Sequence, residues 1–382
     1  MNQQAKKKKI LLIEGYYGGS HKQFLDGLRA NVDGQYELLT LPARKWKMRM
    51  QLSAPWFVDQ IDKLPEKQRH FDIVLFSTFT DVAVFKALAE KIEGWNRKVK
   101  YLTYFHENQF AYTGVQSKET LHQFMAINFN TCLVSDGLAF NSSYNRDIFL
   151  TQARKYVSKA ADMDVGFLID EVEGKSTVLY PGIDFTAIDL AVKKIREGTN
   201  AAKVPVIVWN HRWEHDKNPE EFFRVLYCLS EEGVSFKLAL LGEKFRFRPP
   251  CFEEAREKLA GHIVHYGYLE KKEDYYKVLS KGDFVVSTSY HEFYGISVIE
   301  AVRAGCCPVL PDRLSYPELF EKGFLYPEGG LLACLRKKLK DKTRLNLEQC
   351  REMTGRFSWS TLTTAYDDWF APVVSPDGSD CS

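Results

Sequence analysis

Apolar residues fall into short runs, separated by longer stretches where they recur every three or four positions. In the first half, residues 9–13, 36–40, 73–76, 100–105, 137–140 and 177–180 read as strands. Residues 20–30, 81–92 and 121–130 read as helices between them. The run Tyr180-Pro181-Gly182-Ile183-Asp184 breaks the pattern with turn residues. An amphipathic stretch at 187–198 and a small polar one at 199–203 follow. Alternation then resumes, with strands at 204–209, 237–241, 262–266, 284–288 and 307–310 and helices at 220–230, 252–259, 271–280 and 295–304.

Strand–helix alternation at this spacing predicts mostly parallel sheets. The expected architecture is α/β, two Rossmann-like domains in tandem with a cleft between them. Residues 1–184 form the first, 185–203 a linker and 204–358 the second. A helix within 359–374 packs back across the cleft, and 375–382 is a disordered tail.

A length of 382 residues fits two or three domains, and 45% hydrophobic with 27% charged residues is a folded composition. The net charge is only +2, so a nucleic-acid partner needs a local basic patch. The eight cysteines show no pair at metal-ligand spacing, and Cys306 and Cys307 read as small core residues. No apolar run approaches the length of a membrane span, and the lysine run at 6–9 lacks a following apolar region. The expectation is a soluble, cytoplasmic protein that engages no membrane.

The richest chemistry lies in the run from His291 to Gly305. A strand feeds a polar loop with Glu292, Phe293 and Tyr294, and a helix starts near Gly295 with Glu300 in its second turn. In an open α/β sheet, ligands bind where strands end and helices begin. Free amides at a helix start suit a diphosphate. Carboxylates beside it suit sugar hydroxyls, since an ionised carboxylate only accepts. The run reads as a nucleotide-sugar cradle. Arg212 and Lys217 follow the first strand of the second half, where two cations clamp a diphosphate, one as a planar fork and one as a point charge. His211 and His215 flank Trp213 without a third ligand at set spacing, so no metal is expected. Gly242 and Tyr268 end the next two strands, where a base could lie against the backbone.

In the first half, Gly18 and Gly19 lie between strand and helix but miss the dinucleotide fingerprint spacing. They serve close approach to a phosphate or acceptor, or merely a tight turn. His106 and Glu107 open four consecutive polar residues at a strand's end. His106 faces the transferred sugar or the acceptor, and Glu107 is a base or an orienting group. Arg44, Lys45, Trp46, Lys47 and Arg49 form a basic run with an aromatic inside, able to grip phosphates and stack a base, or else a solvated loop. Asp162 and Asp164 read as a surface loop.

The paired glutamates, Arg212 with Lys217, Gly242 and Tyr-Pro-Gly-Ile-Asp resemble retaining glycosyltransferases of the GT-B type, family four. A nearer match is the tRNA-queuosine α-mannosyltransferase family. It rests on Tyr17-Gly18-Gly19-Ser20-His21-Lys22-Gln23, Leu41-Pro42-Ala43-Arg44-Lys45-Trp46, Tyr104-Phe105-His106-Glu107-Asn108-Gln109, the run from His211 to Lys217, and His291-Glu292-Phe293-Tyr294-Gly295. These strings span nearly the whole chain. The linker is short, whereas animal members are expected to carry a long polar insertion there.

The resemblance implies transfer of mannose from GDP-mannose to the cyclopentenediol of queuosine in the anticodon of aspartate tRNA. No cofactor or metal is required. Glu292 contacts the sugar, Glu300 the nucleotide ribose, Arg212 and Lys217 the diphosphate, and His106 lies at the reacting face. Two rival readings remain: a GT-B transferase for a lipid, glycan or protein, and a silent tRNA- or nucleotide-sugar-binding protein.

Overall fold

The computed structural model describes residues 7–112, 118–196, 204–242 and 249–371. The expected tail at 375–382 and the polar stretch at 199–203 lie outside them. The chain divides into two units, Met1–Gly182 with Trp359–Ser382, and Ile183–Ser358.

In the first unit, β1 (Lys9–Tyr17), β2 (Gln35–Pro42), β3 (Ile73–Ser77), β4 (Lys100–Phe105), β5 (Gly137–Phe140) and β6 (Ser176–Val178) form one sheet. Its order is β2-β1-β3-β4-β5-β6, and every pairing is parallel. Successive β1 side chains point to opposite faces. Ile10 and Leu12 enter the core shared with helices Gly19–Asn31 and Trp359–Phe370. Leu11 and Ile13 enter the core shared with helices Trp46–Asp62 and Val82–Ala89. Burial on both faces explains why these strands read as continuous apolar runs.

The second unit repeats the plan with β7 (Val206–Trp209), β8 (Lys237–Leu241), β9 (Ile263–Gly267), β10 (Phe284–Val286), β11 (Cys307–Pro311) and β12 (Leu325–Tyr326). The order is β12-β11-β10-β7-β8-β9, again all parallel. Cys306 and Cys307 are fully buried, with Cys307 in the main apolar core. No helix among the described residues is long and apolar enough to cross a membrane.

Two expectations need correction. Most of the supposed linker is structured: Thr186–Arg196 is a helix that buries Ile188 and Val192 and packs on helix Lys272–Leu279. Arg303 secures it with a two-pronged contact to Asp189 at 2.8 and 2.7 Å. The basic run at 44–49 is not a loop, because from Trp46 it forms the first turn of a 17-residue helix. The helix Trp359–Phe370 belongs to the first unit. The Tyr366 hydroxyl donates to the Tyr180 carbonyl at 2.8 Å, and the Lys100 ammonium donates to the carbonyls of Trp369 and Ala371 at 3.1 and 3.0 Å. Trp359 lies so close to Gly27 and Gly182 that a Cβ on either would fall 2.2 Å from the indole.

Candidate functional site

Strand order fixes where each unit can bind. In the first sheet, β1 is followed on one side by β2 and on the other by β3; in the second, β7 is flanked by β8 and β10. These reversals are the switch points where open α/β sheets take ligands, at the strands' carboxyl ends. Both units carry their polar clusters there.

In the first unit, Glu14 continues the face that carries Ile10 and Leu12, so its carboxylate turns toward helix Gly19–Asn31. It is wholly buried and satisfied on both oxygens. The Tyr16 amide and Ser77 hydroxyl donate to one at 2.7 and 2.8 Å, and His21 Nδ1 lies 2.9 Å from the other. His21 Nε2 faces Glu107 at 3.9 Å, and its ring stands 4.0 Å from that of His106. Burial lowers the His21 pKa, but the charge and hydrogen bond of Glu14, with Glu107 beyond, outweigh it and leave it raised. Burial, then the neighbouring His21, holds His106 well below the ordinary imidazole value. His21 thus binds its proton more tightly than an ordinary imidazole, and His106 less tightly.

Ligand-capable atoms of Glu14, His21 and His106 lie within 4.8 Å of one another, a grouping that could hold a metal ion. The Glu14 oxygens are engaged by the Tyr16 amide, the Ser77 hydroxyl and the His21 imidazole, so a hydrogen-bonded cluster surrounds this carboxylate. His106 and Glu107 both stand at this point, His106 buried and Glu107 partly exposed. Glu14 and His21 were not among the expected site residues. The available signals were a carboxylate following Ile10 and Leu12 at even spacing, and a histidine one turn into the next helix.

Gly18 and Gly19 start that helix. A Cβ on Gly18 would lie 2.5 Å from the Ala43 side chain, whereas Gly19 adopts φ +52° beside open space. Gly18 therefore serves close chain packing, and only Gly19 leaves backbone approachable. The basic run splits as well. Arg44, Lys45 and Lys47 are exposed. Trp46 is half-buried against Phe79 and Phe124, with ring centres at 6.1 and 5.2 Å, so it is packing rather than a free stacking platform. Arg49 turns inward. Its Cβ is 3.5 Å from where a Gly15 Cβ would stand, and its Nε is buried with no hydrogen-bond partner among the described residues.

In the second unit the loops after β7 and β10 are tied together. Thr288 donates to the carbonyls of Lys217 and Asn218 at 2.9 and 2.8 Å, and the Tyr290 amide to that of Asp216 at 2.8 Å. Arg313 holds the carbonyls of Ser289 and Thr288 at 3.1 and 3.0 Å. This bracing buries Lys217, only 6% exposed. Its ammonium donates to the His291 carbonyl at 2.6 Å and lies 3.3 Å from both Glu292 and Asp216. Arg212 is exposed, 3.1 Å from Glu214 and 3.9 Å from the same Asp216 oxygen. The two expected cations therefore share one carboxylate, and Glu292 stands beside one of them. Burial, then Lys217, pushes the His211 imidazole down to about 4, leaving it neutral.

Glu300 is buried below the loop. The Tyr275 and Tyr276 hydroxyls donate to its two oxygens at 3.3 and 3.5 Å, and the Asn210 amide donates to Tyr275 and to the Ser297 carbonyl at 3.0 and 2.7 Å. Asn210 Oδ1 is buried without a hydrogen-bond partner among the described residues. Gly295 caps helix Ile296–Arg303 at φ +97°, which places the free amides of that helix beside the loop.

Tyr294, Gly242 and Tyr268 stand in different surroundings. The Tyr294 ring is buried edge-on to Phe357 at 5.8 Å, so this side chain is core. A Cβ on Gly242 would stand 2.0 Å from the His211 carbonyl, so this glycine lets two strand-end loops pack closely. Tyr268 is 59% exposed beyond the edge strand β9, two strands over from β7.

The family model described as tRNA-queuosine alpha-mannosyltransferase N-terminal matches residues 9–183. The model described as Glycosyl transferases group 1 matches residues 192–348. A Drosophila melanogaster protein named tRNA-queuosine alpha-mannosyltransferase is 34% identical over 386 residues, covering 98% of this chain and 99% of that one. An alignment of that length leaves no room for a long insertion in the fly protein, so the expected contrast with animal members does not hold for this relative. Among solved structures, sucrose-phosphate synthase from Thermosynechococcus elongatus superposes with a TM-score of 0.69 at 14% identity, covering 95% of this chain and 98% of that one. Anabaena HepE in complex with UDP gives 0.66 at 15%, covering 94% and 98%. At those identities the likeness is one of fold, and the fold is GT-B.

Proposed function

The chain belongs to the tRNA-queuosine alpha-mannosyltransferase family, and from that premise we propose that it moves mannose from GDP-mannose onto the cyclopentenediol of queuosine in the anticodon of aspartate tRNA, in the cytoplasm. The observation that carries this reading is the convergence in the first unit. His21 and His106, from two separate strings of the family resemblance, meet at ring centres 4.0 Å apart over the buried Glu14. The second unit supplies the complementary set, Lys217 with Glu292 and Arg212.

In this reading the second unit holds the donor and the first takes the acceptor nucleoside. Arg212 and Lys217 draw off charge as the diphosphate leaves, and the helix amides at Gly295 add to that. Glu292 accepts from sugar hydroxyls. Glu300, oriented by Tyr275 and Tyr276, accepts from the ribose. The acceptor oxygen attacks the anomeric carbon on the face the phosphate departs from. The new C–O bond forms as the old one breaks, and the leaving phosphate oxygen takes the hydroxyl proton. Configuration is retained. Such a step relies on positioning and fixed charge rather than on a strong base or a metal.

The test is to incubate the purified protein with queuosine-containing tRNA and separate nucleotide-sugars, then digest the tRNA and weigh the nucleosides. A hexose added to queuosine with GDP-mannose alone is the expected result. Addition from another donor would overturn the sugar and keep the acceptor. No addition from any donor would overturn the acceptor.

A further inference from the structure

The helix Trp46–Asp62 buries Met50, Ala54, Phe57 and Ile61 and turns an apolar stripe outward. Met48, Leu52 and Trp56 are 48%, 55% and 41% exposed. Their spacing of four places them one above another on a single face. Val84, on the adjoining helix Val82–Ala89, is 40% exposed as well. Single exposed apolar residues are ordinary, but a contiguous group marks an interaction surface.

Charge says what it takes. At the helix start Arg44, Lys45 and Lys47 are exposed, and their side chains form no ion pair among the described residues. At the far end, Asp59 and Asp62 are matched by Lys63 and Arg69. Among the described residues the surface thus offers cations without ion pairs at one end, followed along the same helix by two apolar side chains and then an indole. Phosphates and unstacked base faces match that order, as in single-stranded nucleic acid. The basic end also adjoins the acceptor cluster: Trp46 packs on Phe79 at 6.1 Å, and Phe79 on His21 at 5.1 Å. From Trp46 to Trp56 the helix rises about 15 Å.

We infer that this helix face docks unpaired RNA flanking the acceptor nucleotide, with Arg44, Lys45 and Lys47 on phosphates and Trp56, rather than Trp46, stacking a base. The inference rests on the acceptor being RNA.

The test compares fluorescently labelled queuosine tRNA, a fully duplex RNA and phosphatidylserine vesicles as probes of the whole chain. Trp56→Ala should weaken tRNA binding about tenfold or more and raise KM for tRNA, with Trp56→Phe restoring most of it. Combining Arg44→Ala, Lys45→Ala and Lys47→Ala should flatten the dependence of log affinity on log salt by about 2. Unchanged tRNA affinity in Trp56→Ala together with an unchanged salt slope would overturn the docking surface. So would an equal loss with duplex RNA, or a loss seen only on vesicles or in self-association. Failure of the native protein to glycosylate queuosine would instead defeat the functional reading. Normal glycosylation with unaffected variants would defeat only this surface.

Discussion

His21 Nδ1 lies 2.9 Å from a Glu14 oxygen in a pocket where neither residue exceeds 4% exposure. The pair holds a proton in the folded chain that the unfolded chain binds less tightly. Because the His21 pKa is raised, its contribution to stability is complete below the ordinary value of about 6.5 and fades as pH climbs through the raised value. His106 acts with the opposite sign. Its pKa is lowered, so stability is lost as pH falls from about 6.5 toward the depressed value. Subtracting the melting curves of Glu14→Gln from those of the native protein should isolate the first effect: a stabilisation of about 3–5 kcal/mol that shrinks above pH ~6.5. A difference independent of pH would show that His21 is neutral in the fold.

Lys217 places a buried ammonium 3.3 Å from both Glu292 and Asp216. Replacing it with alanine leaves two carboxylates facing the space proposed for the diphosphate. Turnover should drop about 10²–10³-fold, the scale of losing one charge-stabilising donor. Binding of tRNA, assigned to the other unit, should stay within twofold or so. Loss of both together would separate Lys217 from donor chemistry.

Tyr275 links Asn210 to Glu300 by hydrogen bonds of 3.0 and 3.3 Å. Tyr275→Phe strips one partner from each buried group, at a cost of about 1–3 kcal/mol. If Glu300 holds the ribose, donor affinity measured by calorimetry should weaken roughly five- to hundredfold, while affinity for a free sugar stays the same. Unaltered donor affinity would leave Glu300 as a core residue only.

Gly242 combines φ +141° with the 2.0 Å approach to the His211 carbonyl. Gly242→Ala should lower stability to denaturant by about 1–3 kcal/mol or more, through backbone strain and collision together. A variant as stable as the native chain would mean that the loops after β7 and β8 shift freely.

How far the residues announce all this varies by element. β4, β5 and β8 match the apolar runs residue for residue, since strands covered on both faces read as short continuous apolar runs bounded by polar or turn residues. The helix Trp46–Asp62 was hidden for the reason that makes it interesting: Met48, Leu52 and Trp56 put apolar residues on the outer face, and Pro55 interrupts the middle. Lys217 and Glu292 were legible as site candidates because each follows a strand of the same sheet, but nothing in the sequence showed that they pair with one another. Glu14 was not legible, since a single carboxylate after four apolar residues resembles a solvated strand end until the structure carries β1 on to Tyr17 and brings His21 against it. Trp46 and Tyr294 misled because an aromatic inside a polar run gives no sign of which neighbour covers it.

The first unit is assembled from two separated stretches of chain, with Trp359–Phe370 returning to Gly27 and Gly182. Synthesis makes this a matter of timing. When Gly182 leaves the ribosome, the groove that receives Trp359 is still empty. About 190 further residues must follow, roughly 10–40 s at ordinary elongation rates. During that interval Phe24 and Leu28 lack their cover, whereas the intervening Ile183–Ser358 segment can close its own core. The first unit begins first and is completed last, so a chain stopped near residue 358 would hold a finished second unit and an unfinished first one.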